Sequence, residues 1–275
     1  MFKKAVLLLA LMLTGLVHAE KWQVAGDASF PPYVYEENGQ VKGIHADIVR
    51  VILDRLKVDY EIKAYPWKRV IRMTDNNQIT LSLSWVEKRK RFEKYLMVGP
   101  IQYGRTVFMV KKSSNITFNE LKDLSAYKIG TISGYAYPKE FEEADFLEKH
   151  PATVDNATLI SKLLKGRVDI IIGDQSTLEF EAKKLSVSPI IKILPKPLKV
   201  VSRYAVFPKE NTHQAAIFAN ALNELKFDKA LYQSVIDKSI IILNKYPQSK
   251  YVFPAMFLIG KSRYHLGEYT QAENI

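Results

Sequence analysis

The sequence predicts an α/β protein made of two α/β units, with a short α-helical extension at its C-terminus. Apolar runs of strand length alternate with stretches of helical period, the pattern of largely parallel sheets covered by helices. An apolar content of 47% over 275 residues is that of a globular chain long enough for one large or two medium domains. From about Ser249 the pattern changes to a pair of helices.

Met1 to Ala19 has a basic start (Lys3, Lys4), an apolar stretch from Ala5 to Leu13 that extends through Val17, and a small residue at Ala19. This reads as a cleavable signal peptide, too short and too poorly flanked to span a bilayer of about 30 Å. The mature chain is then expected to begin near Glu20. Trp22 to Ala25 reads as a strand ending at Gly26-Asp27, and Ile44, Ile48, Val51, Ile52 and Leu56 recur at helical spacing. Tyr60 to Ala64 is expected as strand, Trp67 to Met73 as helix and Ile79 to Trp85 as strand. A second series holds strands at Thr106 to Val110 and Lys128 to Ile132, and an acidic helix through Phe141 and Leu147. A helix from Ala157 to Lys165 and the strand Val168 to Ile172 complete it, with Gly166 where that helix should stop. Pro195 and Pro197 end this unit, Tyr204 to Phe207 starts another strand, and helices follow at His213 to Leu225 and Ala230 to Lys238.

Several chemistries find no support. The formal charge of +11, which becomes +9 when Lys3 and Lys4 leave, could suit nucleic acid, but the cations are dispersed, the one run is Lys88 to Arg91, and the chain reads as secreted. Cysteine is absent, which removes disulfides, thiolate metal sites, a cysteine nucleophile and the attachment point of a lipoprotein. His45, His150, His213 and His265 show no metal-ligand spacing, and no G-x-S-x-G elbow occurs. Gly260-Lys261-Ser262 has the end of a phosphate-binding loop, but Ala255 stands where that loop needs glycine. No catalytic residue, metal or cofactor is expected.

Polar and aromatic residues at strand ends remain, where open α/β sheets place their ligand crevice. Asp27 and Phe30 lie in a loop fixed by Pro31-Pro32, and Tyr65-Pro66-Trp67 marks a turn from strand to helix. The run Ser84-Trp85-Val86-Glu87-Lys88-Arg89-Lys90-Arg91 ends a strand, and an arginine there could hold a carboxylate with its planar fork. Further on, Thr131-Ile132-Ser133-Gly134-Tyr135 precedes a helix, whose amides attract anions, and Asp174 ends a strand, where it could accept an ammonium group or cap a helix.

In order and spacing these places resemble the bacterial extracellular solute-binding proteins of the polar amino acid type, the receptors of ABC importers. The resemblance runs from about Trp22 to Lys238 through Gly39, Gly43 and Asp47, Arg91 nine residues before Pro100, Ile129-Gly130 to Gly134, Gly166-Arg167-Val168-Asp169, and Tyr232 with Ile236. It implies a two-lobed, type II periplasmic-binding fold, with lobe one at residues 20–99 and 204–238 and lobe two at 106–197. It also implies Phe30 and Trp67 as walls around the ligand, Arg91 with the amides near Ser133 as carboxylate clamp, Asp174 as amine acceptor and Asp27 as a side-chain contact. Asp169 matches a position read as structural. Two departures stand out: Tyr135 replaces the usual small hydroxyl residue, and Val86 or Lys88 replaces a threonine before the arginine. With Trp85 and Tyr137 nearby, they point to a more aromatic pocket suited to a flatter or larger solute.

The expected function is therefore a periplasmic receptor that closes on a small polar, amino-acid-like solute and delivers it to a membrane ABC permease. Alternatives are an enzyme on the same fold, such as a cyclohexadienyl dehydratase using Asp174 or Glu87 as acid/base or a murein-cleaving lyase, and a ligand-sensing interaction protein. The last would use the tail, residues 239–275, where Ala255, Ile259, Gly260, Tyr264, Leu266, Gly267, Tyr269 and Ala272 resemble one tetratricopeptide repeat cut off inside its second helix. Such a tail could dock a protein partner.

Overall fold

The computed structural model describes residues 21–153, 155–226, 228–249 and 252–274; the signal peptide expected over residues 1–19 lies outside them. They divide into two compact units between Ala216 and Ile217. The first opens with β1 (Trp22–Asp27), the short strands β2 (Ser29–Phe30), β3 (Val34–Glu37) and β4 (Gln40–Lys42), α1 (Ile44–Leu56) and β5 (Tyr60–Tyr65). Next come α2 (Trp67–Asp75), β6 (Leu81–Val86), α3 (Arg89–Lys94), β7 (Leu96–Lys111), β8 (Lys128–Ile132), α4 (Lys139–Glu142) and β9 (Glu148–Thr153). The unit closes with α5 (Asn156–Leu164), β10 (Ile170–Asp174), α6 (Gln175–Lys184), β11 (Ile191–Ile193), β12 (Lys199–Phe207) and the start of α7 (Thr212–Lys226).

The main sheet has the order β5-β1-β6-β12-β7-β10-β8-β9, with β11 pairing β7. Its two wings, β5-β1-β6 and β10-β8-β9, are parallel, whereas β12 and β7 run antiparallel to their neighbours across the centre. The expectation of largely parallel sheets thus holds in each wing and fails in the middle. The reason is connectivity: the chain leaves the first wing through β7 and returns through β12, so the two connecting strands pair with each other.

Strand β7 is the largest departure from the expected elements. It starts at Leu96 rather than near Thr106, because Gly99, Pro100 and Gly104 read as breakers in isolation. Opposite them the register slips, with Gln102 facing Arg203 and Val98 facing Ala205, and proline is tolerated in a strand at such an irregularity. The expected acidic helix shrinks to the single turn α4, after which the chain passes into β9. Helix α6 and the small β2-β3-β4 sheet were not expected.

In the second wing both faces of the sheet are buried. Val107, Met109 and Ile171 pack with Leu159, Leu163 and Leu178 on one side, and Phe108, Val110, Ile170 and Ile172 pack with Phe118, Leu124 and Phe141 on the other. Burial on both faces accounts for the unbroken apolar runs of β7 and β10, since successive side chains of a strand point to opposite faces. Asp155 caps α5 by accepting from Thr158 N at 2.7 Å, and Gly166, at φ +68, follows its end. The Asp169 carboxylate accepts from Lys128 N at 2.9 Å, a structural contact.

The second unit holds the remainder of α7, α8 (Lys229–Lys245), α9 (Val252–Leu266) and α10 (Tyr269–Glu273). Asp228 caps α8 through Leu231 N at 3.1 Å, and Gly267, at φ +81, separates α9 from α10. The last two helices occupy the segment with repeat-like spacing, where Ala255 and Ile259 are buried one turn apart. Among the described residues no helix is long and apolar enough to cross a membrane.

Candidate functional site

The site lies in the first unit, at the carboxyl ends of strands from both wings. A cavity of about 60 Å³ is lined by Asp27 at the end of β1, Phe30, Trp67 opening α2, Ser84 and Val86 of β6, and Arg91 of α3. The other wing supplies Tyr135, Ala136 and Tyr137 after β8 and Gly173-Asp174 ending β10, while Thr106 and Arg203 come from the connecting strands. Gly134, at φ +86, makes the turn that brings Tyr135 over the cavity.

On the first wing Arg91 carries the decisive charge. Its Nη1 donates to Val86 O at 2.7 Å, and its guanidinium lies over the Trp85 ring at 4.7 Å. Among the described residues no carboxylate lies within ion-pair distance of Arg91, and burial lowers its pKa to about 10. Arg89, two residues earlier on the same short helix, instead pairs with Glu93 at 3.2 Å and is 95% exposed. Of the two arginines the fold turns Arg91 inward.

Asp27 is the opposite case. Its Oδ1 accepts from Ser29 N at 3.0 Å and its Oδ2 from the Tyr135 hydroxyl at 2.8 Å, with no cation of the described residues in ion-pair range. Burial raises its pKa from 3.8 to about 6, against the lowering effect of these two donors. Behind it His45 is fully buried, stacked on Tyr33 at 4.8 Å and bonded to Ser84 Oγ at 2.7 Å. Its pKa falls to about 3, mainly through burial and secondarily through Arg203, so it is a neutral imidazole at physiological pH.

On the second wing Asp174 does two jobs within the protein. Its Oδ1 caps α6, accepting from Thr177 N at 3.1 Å, and its Oδ2 accepts from Arg203 Nη2 at 2.7 Å. Both side chains of this ion pair are 4% exposed. The Arg203 guanidinium also lies over Phe30 at 4.7 Å and Tyr33 at 5.0 Å, so it covers a face of the ring expected to flank a ligand.

Among the described residues, side-chain hydrogen bonds cross between the wings beside the ring contacts of Phe30 with Tyr135 and Tyr35 with Phe180. Besides Tyr135 on Asp27, Trp67 Nε1 donates to Gly134 O at 3.1 Å, and Lys88 Nζ donates to both Glu142 oxygens at 2.5 and 2.7 Å. Together they hold the cavity small.

Of the eight residues singled out in the sequence, Asp27, Phe30, Trp67, Arg91, Tyr135 and Asp174 meet at the cavity. Trp85 does not: it is 1% exposed, donates to Ser82 Oγ at 2.7 Å and packs edge-on to Trp67 and Tyr95, supporting Trp67 and Arg91 from behind. Ser133 sits half-buried on the turn, outside the lining. Arg203 is the residue that sequence reasoning missed. A signal was present, since Val201, Arg203, Ala205 and Phe207 alternate on the buried face of β12, and a charge in such a place needs an internal partner.

Known proteins share this fold. The L-cystine-binding protein TcyJ of Escherichia coli (strain K12) is 22% identical over 151 residues, 54% of this chain and 57% of that protein, so the alignment spans little more than half of the relative's length. An ancestral arginine-binding protein bound to arginine superposes with a TM-score of 0.69 at 20% identity, over 80% of this chain and 99% of that one. The holo form of ArgBP from T. maritima gives a TM-score of 0.68 at 22% identity, over 79% of this chain and 95% of its own. These likenesses establish the two-lobed periplasmic-binding fold. Residues 22–237 match the bacterial extracellular solute-binding proteins, family 3, and the chain belongs to that family.

Proposed function

We propose that this protein is a periplasmic receptor, exported by the leader at residues 1–19, that captures a small polar, amino-acid-like solute and delivers it to an ABC importer. The observation that carries the reading is Arg91: a half-buried guanidinium at the cavity wall, bonded to one backbone carbonyl, with no carboxylate of the described residues in ion-pair range. A charge drawn partly out of water without an ionic partner is costly, and a solute carboxylate relieves that cost most when the lobes enclose it. The solute then binds the closed form better than the open one, which is what a population shift toward closure requires. Phe30, Trp67 and Tyr135 supply the apolar walls, and Ser133 stands beside them on the turn.

Thermal unfolding of residues 20–275 with a panel of amino acids and related carboxylates tests the reading. A solute at a hundred times its Kd adds about 2.7 kcal/mol, a rise in Tm of several degrees for a domain of this size. The rise is expected to disappear in Arg91→Gln. A full panel without any shift, from protein with a cooperative transition, overturns the receptor reading.

A further inference from the structure

The two carboxylates that line the cavity differ in their partners. Asp174, the strand-end carboxylate that could take a ligand ammonium, already has a cation from within the chain. Arg203 Nη2 is 2.7 Å from its Oδ2, and Thr177 N and Oγ1 approach its Oδ1 at 3.1 and 3.4 Å. The pair has room because residue 104 is glycine. A Cβ there would lie 2.6 Å from Asp174 Oδ2 and 3.1 Å from Arg203 Nε, closer than carbon tolerates. Phe30 and Tyr33 fix the guanidinium on its other side, and Asp174 and Arg203 both line the cavity. This is a built site.

We infer that Arg203 is a specificity-determining residue, which takes the place of a ligand ammonium at Asp174, so that the cavity selects carboxylate solutes lacking an α-ammonium group. The inference rests on the receptor reading and narrows it. A ligand ammonium brought to Asp174 would meet the Arg203 cation and would have to displace a bidentate-capable guanidinium from a carboxylate that is only 4% exposed. The other carboxylate of the lining, Asp27, is mostly ionised at neutral pH, but each of its oxygens already accepts a hydrogen bond, from Ser29 N and from the Tyr135 hydroxyl. With Asp174 held by Arg203, Arg91 is the cation of the lining that has no ion pair among the described residues. A solute carboxylate would meet Arg91, with the solute's apolar body toward Trp67 and Tyr135.

The test compares each amino acid with its deaminated analogue by calorimetric titration: phenylalanine with 3-phenylpropanoate, tryptophan with indole-3-propanoate, glutamine with 4-carbamoylbutanoate. The wild-type protein is expected to bind at least one deaminated member tenfold or more tighter than its amino acid. In Arg203→Met, which frees Asp174, the ratio is expected to fall at least tenfold toward the amino acid. The wild-type ratio alone decides the ligand class, so instability of the variant does not remove the test. If amino acids bind tighter and Arg91→Gln abolishes that binding, the receptor reading stands and the inference falls. If neither series binds to folded protein, both fall.

Discussion

Replacing Asp27 by asparagine is expected to stabilise the protein at neutral and alkaline pH and to leave it unchanged in acid. Asp27 is 5% exposed and has no cation among the described residues in ion-pair range, so its carboxylate is less favourable in the folded chain than in water. Its pKa is about 6 when folded and 3.8 in the reference state, so between these values the native protein binds more protons than the unfolded one. Stability from this group therefore falls as pH rises through that window and stays low above it. At 1.36 kcal/mol per pH unit the difference amounts to about 3 kcal/mol. The side-chain amide of the Asp27→Asn variant can keep both neighbours, its oxygen accepting from Ser29 N and its nitrogen donating to the Tyr135 hydroxyl. Urea unfolding followed by tryptophan fluorescence from pH 4 to 8 gives the difference between variant and wild type at each pH. That difference should grow from near zero to at most about 3 kcal/mol by pH 7. A difference independent of pH, or a wild type more stable than the variant at pH 8, would refute the reasoning.

His45 works in the opposite direction. Its folded pKa of about 3, against 6.5 unfolded, means that stability is lost as pH falls below 6.5, by up to about 5 kcal/mol; His45→Asn should flatten the acid limb of the urea midpoint against pH. Trp85→Ala removes a side chain that is 1% exposed and should cost about 3–5 kcal/mol, seen as a lower urea midpoint at unchanged slope. Lys88→Ala breaks a pair whose side chains are 34% and 37% exposed, so it should change stability by less than about 1 kcal/mol. A small expansion by X-ray scattering at low salt should accompany it and vanish at 1 M salt.

Elements with a strong period were legible from sequence. Ile44 to Leu56 repeats its apolar residues at helical spacing and is α1, and Ile170 to Asp174 is buried throughout as the apolar run implies. Helix α6 was not, because it buries Thr177 and Glu181 beside Leu178 and Ala182, so its inner face carries no clear apolar stripe. At the site, Asp27, Phe30, Trp67, Arg91, Tyr135 and Asp174 follow from their places at strand ends. What local order cannot supply is pairing across distance. Asp174 reads as a free acceptor until Arg203, 29 residues further on, is brought beside it by the antiparallel centre of the sheet. Trp85 reads as a pocket wall, but Trp67 packs edge-on against it and takes the position at the cavity.

The pairing of β7 with β12 has a mechanical consequence. Their hydrogen-bonded register runs from Lys199 opposite Thr106 to Phe207 opposite Leu96 and slips between Arg203 and Ala205. Two connectors zipped together cannot twist separately, so any rotation of one wing against the other must bend both at one level, and the slip is where the ladder is softest. Arg203 stands at that level with its guanidinium on Asp174 of the far wing. The same side chain therefore reports the angle of the joint and the charge of the cavity, and a substitution there would alter the motion and the selectivity together.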